Sequence, residues 1–337
     1  MKKLSFLLLL IIFTKTQAQQ LTEKFNFKKP EETVSNSFYN SINLIDGRDD
    51  TSNLGIVQKG AFNRKAKVVA DVALNIQIAE LLKNLVDTTA KQGELQLLLK
   101  EMCFTEVTTL SERGFYFLKA DLYAKKEAGY TLLDRIDTVV MVKSLDVTKA
   151  TLRNGSKNFT EFISSNLNKE PVTDTYFSYY ELTRMDSVEK SKLPLYTAYT
   201  LREGVYENYV NFKNQEPNRL LFTVKEKKGV VSEIAILNKK NKYEKIPLKN
   251  SYAVVYKGQP YIATEYGYYL LLKKANDYYF TGKYKTAASA GSLITAGFFF
   301  GIIGAAIASE AGSSEVGEMK LDYATGSFKV VPQEVKK

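Results

Sequence analysis

Glu94-Leu95-Gln96-Leu97-Leu98-Leu99-Lys100-Glu101-Met102-Cys103-Phe104-Thr105 reads as an extended stretch, and two more follow closely: Gly114 to Lys125 and Tyr130 to Val142. Thr108-Thr109 through Arg113 and Glu127-Ala128-Gly129 part them. Runs rich in apolar and β-forming residues, separated by short polar breaks, predict consecutive strands joined as hairpins. The simplest arrangement is an antiparallel meander. Upstream, Asp71 precedes Val72, Ala73, Ile76, Ala79, Leu82 and Val86, a stripe at helical spacing with an acceptable N-cap. Before it, Ser41 to Ile45 reads as a strand running into the charged turn Asp46-Gly47-Arg48-Asp49-Asp50. Those acidic residues could draw a cation, but the fixed spacing of a calcium loop is absent and a solvated turn accounts for them.

Downstream, Asn154-Gly155 predicts a break, after which Ser156 can cap a helix with Phe159, Phe162, Ile163 and Leu167 on one face. Residues 37–170 thus form an α+β domain: a leading strand, a helix, the meander and a closing helix. Residues 19–36 show no usable period around Lys28-Lys29-Pro30-Glu31-Glu32 and read as a polar N-terminal extension.

Over Asn40 to Leu167 this pattern, with its Asp46-Gly47-Arg48 strand end, resembles small α+β periplasmic lipoprotein and transporter-auxiliary domains of Gram-negative bacteria. The lipid-bearing cysteine of those proteins is missing here. The chain is more closely similar to uncharacterised exported envelope proteins sharing Asp146-Val147-Thr148 and Arg153-Asn154-Gly155-Ser156. Neither resemblance supplies a catalytic residue to transfer.

After Pro171-Val172-Thr173-Asp174 the composition shifts toward tyrosine and β-formers, and residues 171–337 read as a mostly antiparallel β domain. Its strands are Leu220 to Lys225, Val230 to Leu237, Tyr252 to Tyr256, Tyr261 to Thr264, Tyr268 to Lys273 and Tyr278 to Tyr284. Thr175 to Leu182 aligns with Val205 to Phe212 thirty residues on, a local duplication of Tyr-x-x-Tyr-x-x-apolar. The tyrosines Tyr176, Tyr179, Tyr206 and Tyr209 are candidate ligand-binding aromatics, although most tyrosines in such a chain serve as half-buried sheet residues.

Thr286 through Ser309 is a run of 24 residues without a charge. As a helix it would reach roughly 36 Å, enough for a hydrocarbon core of about 30 Å. Gly297, Gly301 and Ala305 fall four apart on one helical face, the small-x-x-x-small pattern that lets helices approach closely, with Gly304 beside them. Phe298, Phe299 and Phe300 supply bulk. The run reads as a Gly/Ala-rich helical insertion, 286–309, placed in a membrane, packed as a helix or helical hairpin in an oligomer, or left unfolded. Lys283 and Lys285 before it and Glu310, Glu315 and Glu318 after it oppose the positive-inside bias for a single pass. Glu318 to Tyr323 and Ser327 to Val331 read as a hairpin completing the preceding sheet, so an excursion that leaves and returns on one side is favoured.

The first residues fix a location. Met1-Lys2-Lys3, the apolar Leu4 to Phe13 and Thr16-Gln17-Ala18 have the three regions of a secretory signal, residues 1–18, too short in its apolar part to span a membrane. The expected destination is the periplasmic side of a cell envelope. The chain has 47 Lys and Arg against 37 Asp and Glu, and stays basic after loss of Lys2, Lys3 and Lys15. That balance suits anionic surfaces or simple solubility; nucleic acid is a poor partner for an exported chain. Cys103 is the single cysteine, so no disulfide forms within one chain, and its apolar neighbours predict a buried thiol.

No histidine occurs anywhere, which removes the commonest general base and metal ligand together. No Gly-x-Ser-x-Gly elbow or P-loop is present. Ser187-Val188-Glu189-Lys190 matches Ser-x-x-Lys but lacks the companion motifs of enzymes that use it. The expectation is a non-enzymatic protein with no cofactor or metal, whose partners are membrane lipid or other copies of itself through 286–309, and other envelope proteins. The alternative is a soluble module binding glycan or peptide through its tyrosines.

Overall fold

In the computed structural model, which describes residues 21–60, 64–108, 112–227, 230–287, 299–300 and 312–331, the chain has the expected α+β class. The first sheet is built from β1 (Leu21–Phe25), β2 (Tyr39–Asp46), β3 (Gly55–Lys59), β4 (Arg64–Ala70), β5 (Gly93–Thr108), β6 (Glu112–Lys126), β7 (Gly129–Val142) and β8 (Tyr176–Phe177). Strands β5, β6 and β7 are the meander, paired antiparallel along nearly their whole length. Both β2 and β3 lie parallel to β5 on its other edge, β2 along Gly93 to Leu99 and β3 at Phe104 and Thr105. Beyond β3 come β4 and then β1, and beyond β7 comes β8.

Helices α1 (Leu74–Leu85) and α2 (Val147–Ser164) contribute to one core against this sheet, where Ile78, Leu81, Leu82 and Leu85 meet Leu97, Phe104, Leu118, Phe159 and Ile163. Helix α1 has a different phase from the expected one. Its buried stripe is Leu74, Ile78, Leu81, Leu82 and Leu85, while Val72 and Ile76 are exposed. Two apolar stripes compete on this helix, and the one with more leucine is buried, because larger side chains remove more apolar surface from water. Asp71 does not cap it; its carboxylate takes Lys24 at 2.7 Å and Asn26 at 3.1 Å.

Helix α2 is one continuous helix starting at the cap Asp146, whose side chain accepts from the Lys149 amide at 3.0 Å. The expected break at Asn154-Gly155 is absent. A Cβ at Gly155 would stand 2.4 Å from Phe104 Cε1 and 2.8 Å from Tyr116 Cδ2. The glycine serves contact rather than chain reversal: it lets the helix lie directly on the stacked Phe104 and Tyr116 rings, 4.9 Å apart.

The expected extension 19–36 is also corrected. Leu21 to Phe25 pairs parallel with Ala66 to Ala70, Phe25 is buried, and the Phe27 ring lies 4.5 Å from that of Phe159. A five-residue edge strand carrying Thr22, Glu23 and Lys24 offers too few apolar positions for its period to be visible. At the other limit, β8 reaches past residue 170 to pair with β7, so the first sheet ends inside the tyrosine-rich region.

The second half continues with α3 (Tyr179–Leu182), α4 (Met185–Lys190), α5 (Pro194–Thr197), β9 (Gly204–Tyr206) and α6 (Tyr209–Asn214). The repeat is visible locally: β8 and β9 each lead through a capping residue, Ser178 or Asn208, into a short helix. Strands β10 (Phe222–Lys227), β11 (Val230–Leu237) and β12 (Tyr243–Lys245) make one sheet, and β13 (Ala253–Tyr256), β14 (Gln259–Thr264) and β15 (Gly267–Leu270) join β9 in another. The last sheet is ordered β16 (Leu272–Lys274), β17 (Asp277–Ala287), β19 (Gly312–Leu321), β20 (Phe328–Val330) and β18 (Phe299–Phe300).

The predicted helical insertion is corrected at the places the structure describes. Thr286 and Ala287 finish β17, paired to Ser313 and Gly312 of β19. Phe299 and Phe300 are extended and pair with Lys329 and Phe328. Residues 288–298 and 301–311, with Gly297, Phe298, Gly301, Gly304 and Ala305, lie outside the described residues, as does the leader 1–18. Because Ala287 and Gly312 are cross-strand partners, the uncharged run leaves and rejoins the sheet at one place. A single straight crossing would instead set its ends roughly 36 Å apart. Among the described residues no helix is long and apolar enough to cross a membrane.

Candidate functional site

The face of the first sheet turned away from α1 and α2 carries charge where a strand interior normally carries aliphatics, and a β-bulge puts it there. Leu95, Leu97 and Leu99 of β5 face the helices, but so do Met102 and Phe104: the phase changes between them. Pairing to β6 jumps at the same place, from Leu99 opposite Ala120 to Glu101 opposite Lys119, leaving Lys100 as the extra residue. Glu101 and Cys103 therefore turn to the second face, beside Lys119 and Asp121 of β6 and Arg135 and Asp137 of β7.

Helix α4 and the β19–β20 hairpin of the second half cover this face. Lys100 meets Asp121 at 3.1 Å and Glu189 of α4 at 3.1 Å, while Arg135 meets the same two carboxylates at 3.2 and 2.8 Å. The Tyr323 hydroxyl donates to Glu189 at 2.5 Å, with Asp186 at 2.9 Å. Lys119 lies 3.4 Å from both Asp137 and Asp322, Lys329 reaches Asp49 at 2.8 Å, and Asp277 accepts from Lys190 at 2.6 Å and Lys320 at 3.0 Å. Burial pushes Glu189 up, but Lys100, Tyr323 and Arg135 outweigh it and hold the carboxyl below its ordinary range. Asp49 is held down in the same way, against burial, chiefly by Lys329.

Glu101 is the exception in this network. It accepts no hydrogen bond and makes no ion pair with a described residue. Burial raises its carboxyl to about 7; Lys329 and Lys119 pull down and Asp322 and Asp137 push up. Three cavities share it as a wall: one of about 450 Å³ toward Arg48 and Cys103, one of about 80 Å³ toward Tyr323, and one of about 710 Å³ toward Tyr209 and Tyr252. The largest has a mainly apolar lining, including Phe117, Val139, Tyr209, Tyr252 and Phe328. Cys103 opens on the first of them with its thiol pushed well up by burial, so it is not an activated nucleophile.

The Ser187/Lys190 pair is not assembled for catalysis: the Lys190 ammonium is bonded to Asp277 and lies 4.9 Å from the Tyr323 ring. The acidic turn is likewise committed, Asp46 to Arg48, Asp49 to Lys329 and Asp50 to Ser52 and Asn53. Among the described residues no group of His, Cys, Asp and Glu could hold a metal ion.

The four candidate tyrosines do not converge. Tyr206 is fully buried, its hydroxyl donating to the Arg202 carbonyl at 2.5 Å, and Tyr209 is 7% exposed and donates to the Tyr323 carbonyl at 2.6 Å. Both are core residues, although Tyr209 also lines the large cavity. Tyr176 and Tyr179 are exposed, 42% and 54%, and Tyr179 faces Tyr130 at 6.3 Å across the end of a separate open groove of about 690 Å³ beside α1. Sequence reading missed the Glu101 junction, although the shift from odd-numbered to even-numbered apolar positions around Lys100 was its available signal.

No family model and no curated protein matches the chain. Among solved structures it is similar to an uncharacterized protein at 9% identity, TM-score 0.26, covering 43% of this chain and 98% of the other. It is also similar to a Xanthomonas campestris protein of the DUF330 family at 5% identity, TM-score 0.30, covering 50% and 99%.

Proposed function

We propose that this is a non-enzymatic exported protein of the cell envelope that attaches to a membrane through the uncharged run between β17 and β19. The observation that carries this reading is the pairing of Ala287 with Gly312. A nine-pair ladder, Tyr279 with Lys320 through Ala287 with Gly312, holds both ends of the run together. The run can therefore enter an apolar phase and return while the rest of the protein stays on one side of the bilayer. Its lack of charge removes the largest penalty for such entry. Phe299 and Phe300 rest on β20 through two residue pairs, a tether small enough to exchange for lipid. The leader pattern of residues 1–18 supports export, and the uncharged run supports attachment.

The ladder also defines the experiment. Residues 288–311 are replaced by Asn-Gly, a two-residue turn that closes antiparallel neighbours. Wild type should float with phospholipid vesicles and resist carbonate extraction, and the excised variant should remain in solution with unchanged circular dichroism. Flotation of both proteins, or of neither, sinks the proposal. Self-association of wild type without vesicle binding would redirect the run to contacts between copies.

A further inference from the structure

We propose that the junction cavity bounded by Glu101, Val139 and Tyr252 binds a cationic amphiphile: an apolar or aromatic body carrying a protonated amine. The cavity measures about 710 Å³, within the range of small-molecule sites. Its lining is mainly apolar, with several acidic side chains among it. Glu101, Asp137, Glu207 and Asp322 face it against Lys119, the only cation among the described lining residues. Lys119 bridges Asp137 and Asp322, and Glu207 is paired with Arg219 at 3.1 Å. Glu101 has neither ion pair nor hydrogen bond within the protein, although the bulge at Lys100 turns it inward.

The Glu101 carboxylate is half-buried and has no donor within the fold, so a bound ligand can supply one. An amine supplies both charge and donors, whereas an acid would meet the acidic lining residues and a neutral alcohol would satisfy only the hydrogen bond. Tyr209 and Tyr252, with ring centroids 5.4 Å apart, add aromatic walls suited to a cation or a ring. Burial pushes the Glu101 carboxyl up, as expected of a charge awaiting a counter-ion.

The test is calorimetric titration of the exported chain at pH 8, below micelle formation, with dodecylammonium, dodecanol and dodecanoate. Dodecylammonium should bind at one per chain, more tightly than dodecanol, with dodecanoate weakest. Glu101→Gln should weaken dodecylammonium by about tenfold and leave dodecanol within about twofold. Val139→Trp, which fills the cavity, should abolish binding of all three while thermal unfolding shows a folded protein. Equal affinity for the three probes, no saturable dodecylammonium binding, or an unchanged affinity in Glu101→Gln overturns the proposal. The chain lacking 288–311 should bind as wild type does. Loss of binding there alone would place the probe on the apolar run and also overturn it, without touching the membrane reading.

Discussion

Glu101→Gln should make the protein more stable at pH 8 and leave it nearly unchanged near pH 4.5. In the folded chain the Glu101 carboxyl titrates at about 7, burial being the main cause, against 4.5 for an ordinary glutamate. The folded state therefore holds this proton more tightly than the unfolded state. Between those two values the folded state binds more protons, so stability falls as pH rises. At about 1.4 kcal/mol per pKa unit, the ionised Glu101 costs the native state roughly 3 kcal/mol above pH 7, a cost absent below 4.5. Glutamine keeps the shape and removes the titration. The assay is urea unfolding of wild type and variant at pH 4.5, 6 and 8, comparing differences so that other titrating groups cancel. The variant's advantage should grow from near zero to a few kcal/mol over this range. An advantage independent of pH, or a variant less stable at pH 8, would refute the burial argument.

Other outcomes follow from the same structure. Gly155→Ala should lower the melting temperature by an amount corresponding to about 1–3 kcal/mol, since overpacking against Phe104 and Tyr116 outweighs alanine's helix preference of about 1 kcal/mol. Tyr206→Ala should cost about 3–5 kcal/mol in urea unfolding, the effect of emptying a large core site. Glu189→Ala, which leaves Lys100 and Arg135 with Asp121 alone, should destabilise by about 1–3 kcal/mol and expose α4 to limited proteolysis. Cys103 should resist a thiol reagent in native buffer and react fully in denaturant, as its buried, raised thiol requires.

The meander was legible because three long strands present their β-formers in unbroken runs, and short breaks leave little choice of connection. The longer strands of the second half, such as β11 and β17, were legible for the same reason, while the two- and three-residue strands β9, β12 and β18 are too short to show a pattern. Three features were hidden by different physics. Helix α1 carries two apolar stripes, and only the packed sheet decides between Ile76 and Leu81. Asn154-Gly155 has the composition of a turn, while its role depends on two aromatic rings some forty to fifty residues away. The junction around Glu101 unites β5, β6, β7, α4 and the β19–β20 hairpin, so no local window contains it. Its partners Glu189, Asp277 and Asp322 look like ordinary surface charges until the two halves are placed together. Tyr206 and Tyr209 were visible as a repeated pattern, but burial made them core residues and left Tyr176 and Tyr179 outside.

The attachment proposed for the uncharged run is tested most directly by its own environment. Ile302→Cys in a Cys103→Ser background offers one thiol within the run, to be labelled with a polarity-sensitive dye. On adding phospholipid vesicles the emission should shift to the blue and become inaccessible to an aqueous quencher. An emission spectrum and quenching unchanged by vesicles would contradict membrane entry by this segment.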